Sequence, residues 1–452
     1  RAMFHATNAY YVPHAVIRSR RLKTDTVSNT AFRGFGGPQG MLAIERVIDA
    51  IACATGRDAL DVRKANLYRP GRNVTPYHMR VDDPRVLIEL IDDLEASSDY
   101  RRRRADVAAY NAGAGALRRG LALTPVQFGI SFTLAHMNQA GALVHVYKDG
   151  SVLLNHGGTE MGQGLFVKVA QVVAEEFGVA LDAVRPTATS TAMVPNAAPT
   201  AASAGSDLNG MAARNAAAAI RERMAGVAAG VWNVPLETVV FAGGRVSAGA
   251  QSMGFGELAA KAHLARVSLS ATGYYRTPDI TWNRQARTGK PFYYFTYGAA
   301  CSEVLIDTLT GESRVTRVDI LQDAGRSLNP AIDLGQVEGG FVQGMGWLTT
   351  EELVYDAQGR LATHAPSTYK IPVAADVPAD FRVRFTNRPN SAHTIYRSKG
   401  IGEPPFMLAI SVYSAILDAL HSLAPGVQAA LDAPATPERI LLAAHALRAR
   451  TA

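Results

Sequence analysis

The chain has 452 residues, 48% of them hydrophobic, with 19% charged and a net charge of +7. That length and apolar content exclude a disordered chain and allow two or more domains with real cores. No nucleic-acid motif accompanies the dispersed positive charge, so an anionic ligand or partner is the weaker expectation it leaves.

Residues 1–30 read as strand-like with turn breaks, as in Tyr10-Tyr11-Val12-Pro13. A glycine-rich turn follows at Phe32-Arg33-Gly34-Phe35-Gly36-Gly37. Pro38 then opens a helix carrying Met41, Leu42, Ile44, Val47, Ile48 and Ile51 at helical spacing. Residues 57–118 read as a polar, helical connecting lobe with a loop around Pro70 to Pro76. Its run Arg101–Arg104 predicts a solvated helix face. Near residue 120 the pattern turns to strands. Lys148-Asp149-Gly150, between Ala140–Tyr147 and Ser151–Leu154, signals a hairpin. Helices are predicted at 165–177, 206–225, 254–263 and 404–422, and strands at 299–306 and 314–321. The pattern is α+β, with mixed sheets and flanking helices. Residues 226–263 read as a small strand–turn–helix insertion with no assigned function.

Cys53 and Cys301 lie far apart. Alone they form neither an iron–sulfur site nor a four-ligand zinc site, and disulfide use is not expected, which suits a reducing compartment. No apolar run of membrane-spanning length and no signal peptide is expected. A chain that begins with Arg1 rather than Met reads as processed, cut, or taken from a longer polypeptide.

Three glycine-rich segments stand out. His156-Gly157-Gly158-Thr159-Glu160-Met161-Gly162-Gln163-Gly164 and Pro199-Thr200-Ala201-Ala202-Ser203-Ala204-Gly205 each precede a helix. There, free backbone N–H groups suit a phosphate or another anion. Neither is a Walker A loop or a dinucleotide fingerprint. The third, Gly335-Gln336-Val337-Glu338-Gly339-Gly340-Phe341-Val342-Gln343-Gly344, offers amide side chains beside glycines. Each could be a structural turn; together they favour one large polar cofactor. In Gly400-Ile401-Gly402-Glu403-Pro404-Pro405, a carboxylate stands at the entrance of an apolar helix. It could cap that helix or act as a general base.

These segments resemble the molybdenum hydroxylases, the xanthine dehydrogenase and aldehyde oxidase family. Asn29–Gln39, Gly157–Gly164, Pro199–Ser203, Gly335–Gly344, Ser367–Pro372, Gly402–Pro405 and Asp432–Glu438 carry the resemblance in order along nearly the whole chain. It is closest to the molybdopterin-binding C-terminal region of the xanthine dehydrogenase large subunit. It implies an elongated two-lobed architecture, with residues 1–118 ending a first molybdopterin-binding lobe and connector, and 119–452 forming the second.

The resemblance also implies roles. Glu403 would be the base that activates a metal-bound oxygen for attack on a substrate carbon, with hydride passing to a metal sulfide. Phe35 and Phe132 would sandwich a purine ring, although either Phe could be ordinary core. Thr133 would bond the substrate, and Arg33 would lie near the metal. Arg1 would face a purine oxygen and stabilise charge there, favouring purines over aldehydes. Met161, Gly162, Gln163, Thr200, Ala202, Ser203, Gln336 and Gly402 would hold the molybdopterin, whose dithiolene rather than a side chain ligates the metal. 2Fe-2S clusters, FAD and NAD would belong to other domains or subunits. So would a second active-site glutamate, in a part of the molybdenum subunit preceding Arg1. A cytoplasmic dimer of heterodimers is implied, with no nucleic-acid or membrane partner.

Overall fold

The structure, a computed structural model, describes every residue except 27, 28, 30, 114, 195, 451 and 452. Thr30 of the Asn29–Gln39 segment therefore lies outside the described residues.

Among the described residues of this stretch, up to Asn29, the strands predicted for residues 1–30 do not form. Ala2–His5 makes one helical turn, α1, and Tyr10 forms an isolated bridge with Leu67. Pro13 and the exposed residues that follow offer no alternating apolar face for a sheet to bury. Gly36, at φ +91°, starts α2 (Gly37–Thr55), with Pro38 in the first turn as expected. Then come α3 (Ala59–Asn66), α4 (Val86–Ser97) and α5 (Tyr100–Asn111). Arg101 and Arg102 lie on the predicted solvated face of α5, but Arg103 and Arg104 do not. Arg103 is buried between Glu303 and Asp319, both at 2.9 Å, and Arg104 reaches Asp58 and Asp418. Those carboxylates lie far away in sequence, so helical charge patterning alone could not reveal them.

β1 (Leu117–Ile130) leads into β2 (Gln139–Val146) and β3 (Val152–His156), which form the expected hairpin. Next are α6 (Leu165–Phe177), β4 (Val184–Pro186) and α7 (Gly205–Trp232). The insertion holds β5 (Val240–Ala242), β6 (Arg245–Ala248), β7 (Gln251–Gly254) and α8 (Phe255–Leu264). β8 (Ser270–Arg276), β9 (Thr281–Asn283), β10 (Thr288–Lys290), β11 (Tyr294–Asp307) and β12 (Ser313–Gln322) follow. The chain ends with α9 (Pro330–Thr349), β13 (Asp380–Phe385), α10 (Pro404–Leu408), α11 (Ile410–His421) and α12 (Pro437–Arg448).

Two four-stranded sheets organise these elements. The larger runs β1-β11-β12-β13, with β1 and β11 antiparallel from Leu117↔Asp307 to Ile130↔Tyr294 and β13 parallel to β12. α11 crosses one face, above a core that includes Phe128, Phe341 and Phe406. α2 to α4 contribute to the core on the opposite face. Strands covered on both faces read as apolar runs, and β1 is buried from Gly120 to Ile130. The smaller sheet runs β4-β3-β2-β8 beneath α6 and α7. Ala212, Ala213, Ala216 and Ala217 let α7 lie close to this sheet, where a Cβ on Gly273 would collide with the Ala212 carbonyl.

The turn alternative for Gly335–Gly344 is set aside, because the segment is the middle of α9. Its glycines allow close packing. A Cβ on Gly340 would lie 2.8 Å from Pro405 and 3.0 Å from Arg33, and one on Gly344 would strike the Phe406 carbonyl. The helix predicted at 404–422 breaks at Ala409 into α10 and α11. Contrary to the expectation of no membrane-length segment, Pro404–His421 has the length and apolarity for a span. It is 89% buried inside the fold, the position of a core helix.

Candidate active site

Three chain entries into helices meet at one point: the turn before α2, the loop before α7 and the strap before α10. Glu403 occupies the N-cap position of α10, with buried Pro404 and Pro405 next, yet its side chain does not cap that helix. The capping alternative is thus set aside. Glu403 Oε1 accepts from Gly34 N–H at 3.2 Å, and Oε2 accepts from the Ser203 hydroxyl at 2.8 Å. Ser203 Oγ also accepts the Glu403 N–H at 2.9 Å.

Ser203 reaches this position through a strained turn. Ala202 and Ser203 adopt φ +59° and +55°, conformations that cost non-glycine residues about 1–3 kcal/mol. Gly400 lets the turn approach, since a Cβ there would collide with the Ser203 carbonyl oxygen. The strap itself is tied down at several points. Lys399 Nζ meets buried Asp323 at 2.5 Å, Thr296 Oγ1 donates to the Gly400 carbonyl at 2.9 Å, and Gly400 N–H donates to Tyr294 at 2.8 Å.

Arg33 is spent on holding this strap. Its Nε donates to the Gly402 carbonyl at 2.5 Å, Nη1 to Gln343 Oε1 at 3.1 Å, and Nη2 to the carbonyl and side chain of Gln336 at 3.2 and 3.3 Å. Gln336 and Gln343 thus act from a helix by accepting from Arg33, a contact the sequence did not suggest. Burial lowers the Arg33 pKa, and the Glu403 charge opposes that shift.

Arg1 stands on the other side. Its guanidinium donates to the carbonyls of Gly129 at 2.7 Å and Ser131 at 2.5 Å. It also lies over the rings of Phe128 and Phe292, 5.2 and 4.9 Å from their centroids. Burial lowers its pKa and Glu403 again pulls the other way, so both arginines sense the same carboxylate. His5 supports this corner. Its Nε2 accepts from Gly129 N–H, while Nδ1 lies 3.1 Å from the Arg1 carbonyl. Burial holds its pKa down at about 3, which keeps the ring neutral.

Phe35 is 56% exposed, at φ +48° between Gly34 and Gly36, both of which also have positive φ. A strained turn presenting an exposed aromatic ring is poor packing but useful for a ligand. Phe132 and Thr133 are half-buried just beyond β1. Asn138 pins the Phe132 backbone with bonds of 2.8 Å to both its N–H and its carbonyl.

The first glycine segment differs from the anion cradle expected. Glu160 already fills it, accepting the N–H groups of Gly162, Gly164 and Phe166 at 2.9 Å each. Met161 N–H is taken by Gln163 Oε1 at 2.5 Å and Thr159 N–H by Thr200 Oγ1 at 2.8 Å. The segment still presents a polar surface. Met161 is 66% exposed, and open space surrounds Gly162 where a Cβ would stand. Buried His156 Nε2 has no partner, and burial lowers the His156 pKa to about 4. With Nδ1 accepting from Gly158 N–H, the ring proton sits on Nε2 and seeks an acceptor.

Neutral amides and hydroxyls at Gln163, Thr200, Ser203 and Gln336, with this orphan donor, fit a polar heterocyclic cofactor that brings its own metal ligands. Ala202 is buried and can offer only its backbone. Among the described residues no three His, Cys, Asp or Glu side chains gather as a metal site.

The comparisons agree with this fit. The family description "Molybdopterin cofactor-binding domain" matches residues 93–378 and, as a second such domain, residues 1–67. The chain is 45% identical over 451 residues to xanthine dehydrogenase/oxidase of Mus musculus, covering 97% of this chain and 32% of that protein. It is equally, 45%, identical to a nicotinate hydroxylase of Emericella nidulans, over 98% of this chain and 31% of that protein. The chain thus spans about a third of the length of these curated relatives. Quinoline 2-oxidoreductase from Pseudomonas putida 86 shares the fold, with a TM-score of 0.80 and 26% identity over 92% of this chain and 53% of that one.

Proposed function

The chain belongs to the molybdopterin cofactor-binding domain family, the cofactor-holding region of molybdenum hydroxylases, and from that premise we propose that it is the catalytic part of an enzyme that hydroxylates purines. The observation that carries this reading is the placement of Glu403, fixed by Gly34 and Ser203 rather than by its own helix. A carboxylate held by two donors, with basic capacity to spare, is suited to accept a proton at one defined point.

When bound, the molybdenum cofactor supplies the oxygen-transfer and two-electron chemistry that side chains lack. Met161, Gly162, Gln163, Thr200, Ala202, Ser203, Gln336 and Gly402 would hold it. Glu403 takes up a proton as the substrate carbon is hydroxylated. Gly34 N–H and Ser203 Oγ keep the carboxylate aimed. Phe35 and Phe132 receive a flat ring by stacking, and Thr133 bonds its edge. Arg1 retains donors beyond those given to Gly129 and Ser131, and these stabilise negative charge on a ring oxygen. Arg33 acts by holding the Gly402 carbonyl, and thereby the strap. Iron–sulfur, flavin and NAD sites, and the second acid of the active site, belong to the remaining two thirds of a protein of the relatives' length.

A second reading, hydroxylation of another N-heterocycle such as nicotinate, is favoured by the equal identity to the nicotinate hydroxylase. Turnover of the whole enzyme on xanthine, nicotinate and a neutral aldehyde separates the two. Preference for xanthine, lost selectively in Arg1→Met, supports the purine reading. Preference for nicotinate, or equal losses on all three in Arg1→Met, removes it.

A further inference from the structure

Asp207 lies in the first turn of α7, four residues beyond Ser203, and is buried. Tyr294 of β11 donates its hydroxyl proton to Asp207 Oδ2 at 2.7 Å. The same hydroxyl accepts the Gly400 N–H at 2.8 Å. A backbone N–H can only donate, so the single phenol proton is directed to Asp207. Burial, with the nearby Asp207 charge adding to it, raises the Tyr294 pKa well above its ordinary value, so the hydroxyl stays a donor.

We infer that Asp207 is a positioning residue for Glu403, acting through Tyr294 to fix Gly400 and with it the strap that ends at Glu403. The start of α7 then grips this strap twice. Ser203 holds Glu403 directly, and Asp207 holds Gly400 through Tyr294. Two ties, one from the turn before α7 and one from its first turn, three residues apart on the strap, fix both its position and its direction. Arg33 and Lys399 hold other points of the strap but come from different elements. The arrangement also has a cost. Burial raises the Asp207 pKa to about 7, opposed by the Tyr294 bond, and Tyr275 of β8 and Tyr293, just before β11, are the other titratable groups that sense its charge. A buried carboxylate that destabilises its own ionised form is the kind of group a site retains for geometry.

The inference rests on the reading of Glu403 as the base, and the test separates the two. The whole enzyme, loaded with its cofactor, is prepared as Tyr294→Phe, Asp207→Ala, Tyr275→Phe and Glu403→Gln. In Tyr294→Phe and Asp207→Ala, which remove the donor and the acceptor of the tie, kcat is expected to fall about ten- to a hundredfold with little change in KM, the scale of a displaced catalytic group. Molybdenum and pterin content should be kept, and hydrogen exchange at the Gly400 amide should accelerate. Tyr275→Phe should leave kcat and Gly400 exchange as they were. If Asp207→Ala does not fold, Tyr294→Phe decides. Unchanged Gly400 exchange, or an equal loss in Tyr275→Phe, overturns the inference. So does full turnover by Tyr294→Phe when Glu403→Gln is inactive. Full turnover by Glu403→Gln instead overturns the base assignment, while faster Gly400 exchange in Tyr294→Phe would still uphold the tie.

Discussion

One oxygen of Ser203 holds Glu403 at both ends: it donates to Oε2 at 2.8 Å and accepts the Glu403 N–H at 2.9 Å. A hydroxyl has one proton and two lone pairs, so it can make both bonds at once. The side chain and backbone of Glu403 are thereby fixed from a residue two hundred positions away.

Removing that oxygen should misdirect the carboxylate without deleting it. Ser203→Ala is expected to lower turnover about ten- to a hundredfold in the whole enzyme. It should also cost about 1–3 kcal/mol of stability, because the Glu403 N–H loses its partner in a half-buried site. Steady-state rates and thermal melts check this. Unchanged turnover with lowered stability would leave Ser203 a structural residue.

Phe35 allows fold and function to be pulled apart. Its φ of +48° is strained for phenylalanine and natural for glycine. Phe35→Gly should therefore leave stability unchanged or raise it by up to about 1 kcal/mol. KM for a flat heterocycle should rise about tenfold or more as the stacking face is lost. A lower melting temperature with an unchanged KM would make Phe35 a packing residue.

Glu160 makes a prediction about pH. Burial opposes its charge, but the N–H groups of Phe166, Gly164, Gly162 and Met161 outweigh that and hold its pKa below the usual glutamate value. A carboxylate with a depressed folded pKa stabilises the fold above its unfolded pKa. That stabilisation is lost as the pH falls through the folded value. Glu160→Gln should therefore melt below the unsubstituted protein at neutral pH, and the gap should close in acid, below about pH 4. A gap independent of pH would mean that Glu160 acts through shape alone.

What the sequence made legible was mostly local. Pro38 and Pro404 mark helix starts by their own geometry, and Lys148-Asp149-Gly150 marks a hairpin. The glycines of α9 left a turn open because glycine in a turn and glycine under a crossing helix look alike. The contacts of Gly340 and Gly344 with α10 distinguish them. Arg103 misled because Glu303 and Asp319 are two hundred residues away. Glu160 could have been found: a carboxylate followed by glycines two and four positions on is a local trap for N–H groups. Tyr294 and Asp207 carried no sequence signal, since each looks like an ordinary residue of its strand or helix.

Turnover of Glu403→Gln in the whole enzyme tests the assignment most directly. Glutamine keeps the shape of the side chain: its one oxygen can accept from Gly34 N–H while its NH2 donates to Ser203 Oγ, but it cannot take up the proton. The expected result is a loss of about a hundred- to ten-thousandfold in rate, with molybdenum content, pterin content and melting temperature retained. Turnover close to that of the unsubstituted enzyme, in a fully loaded protein, would contradict the assignment of Glu403 as the base.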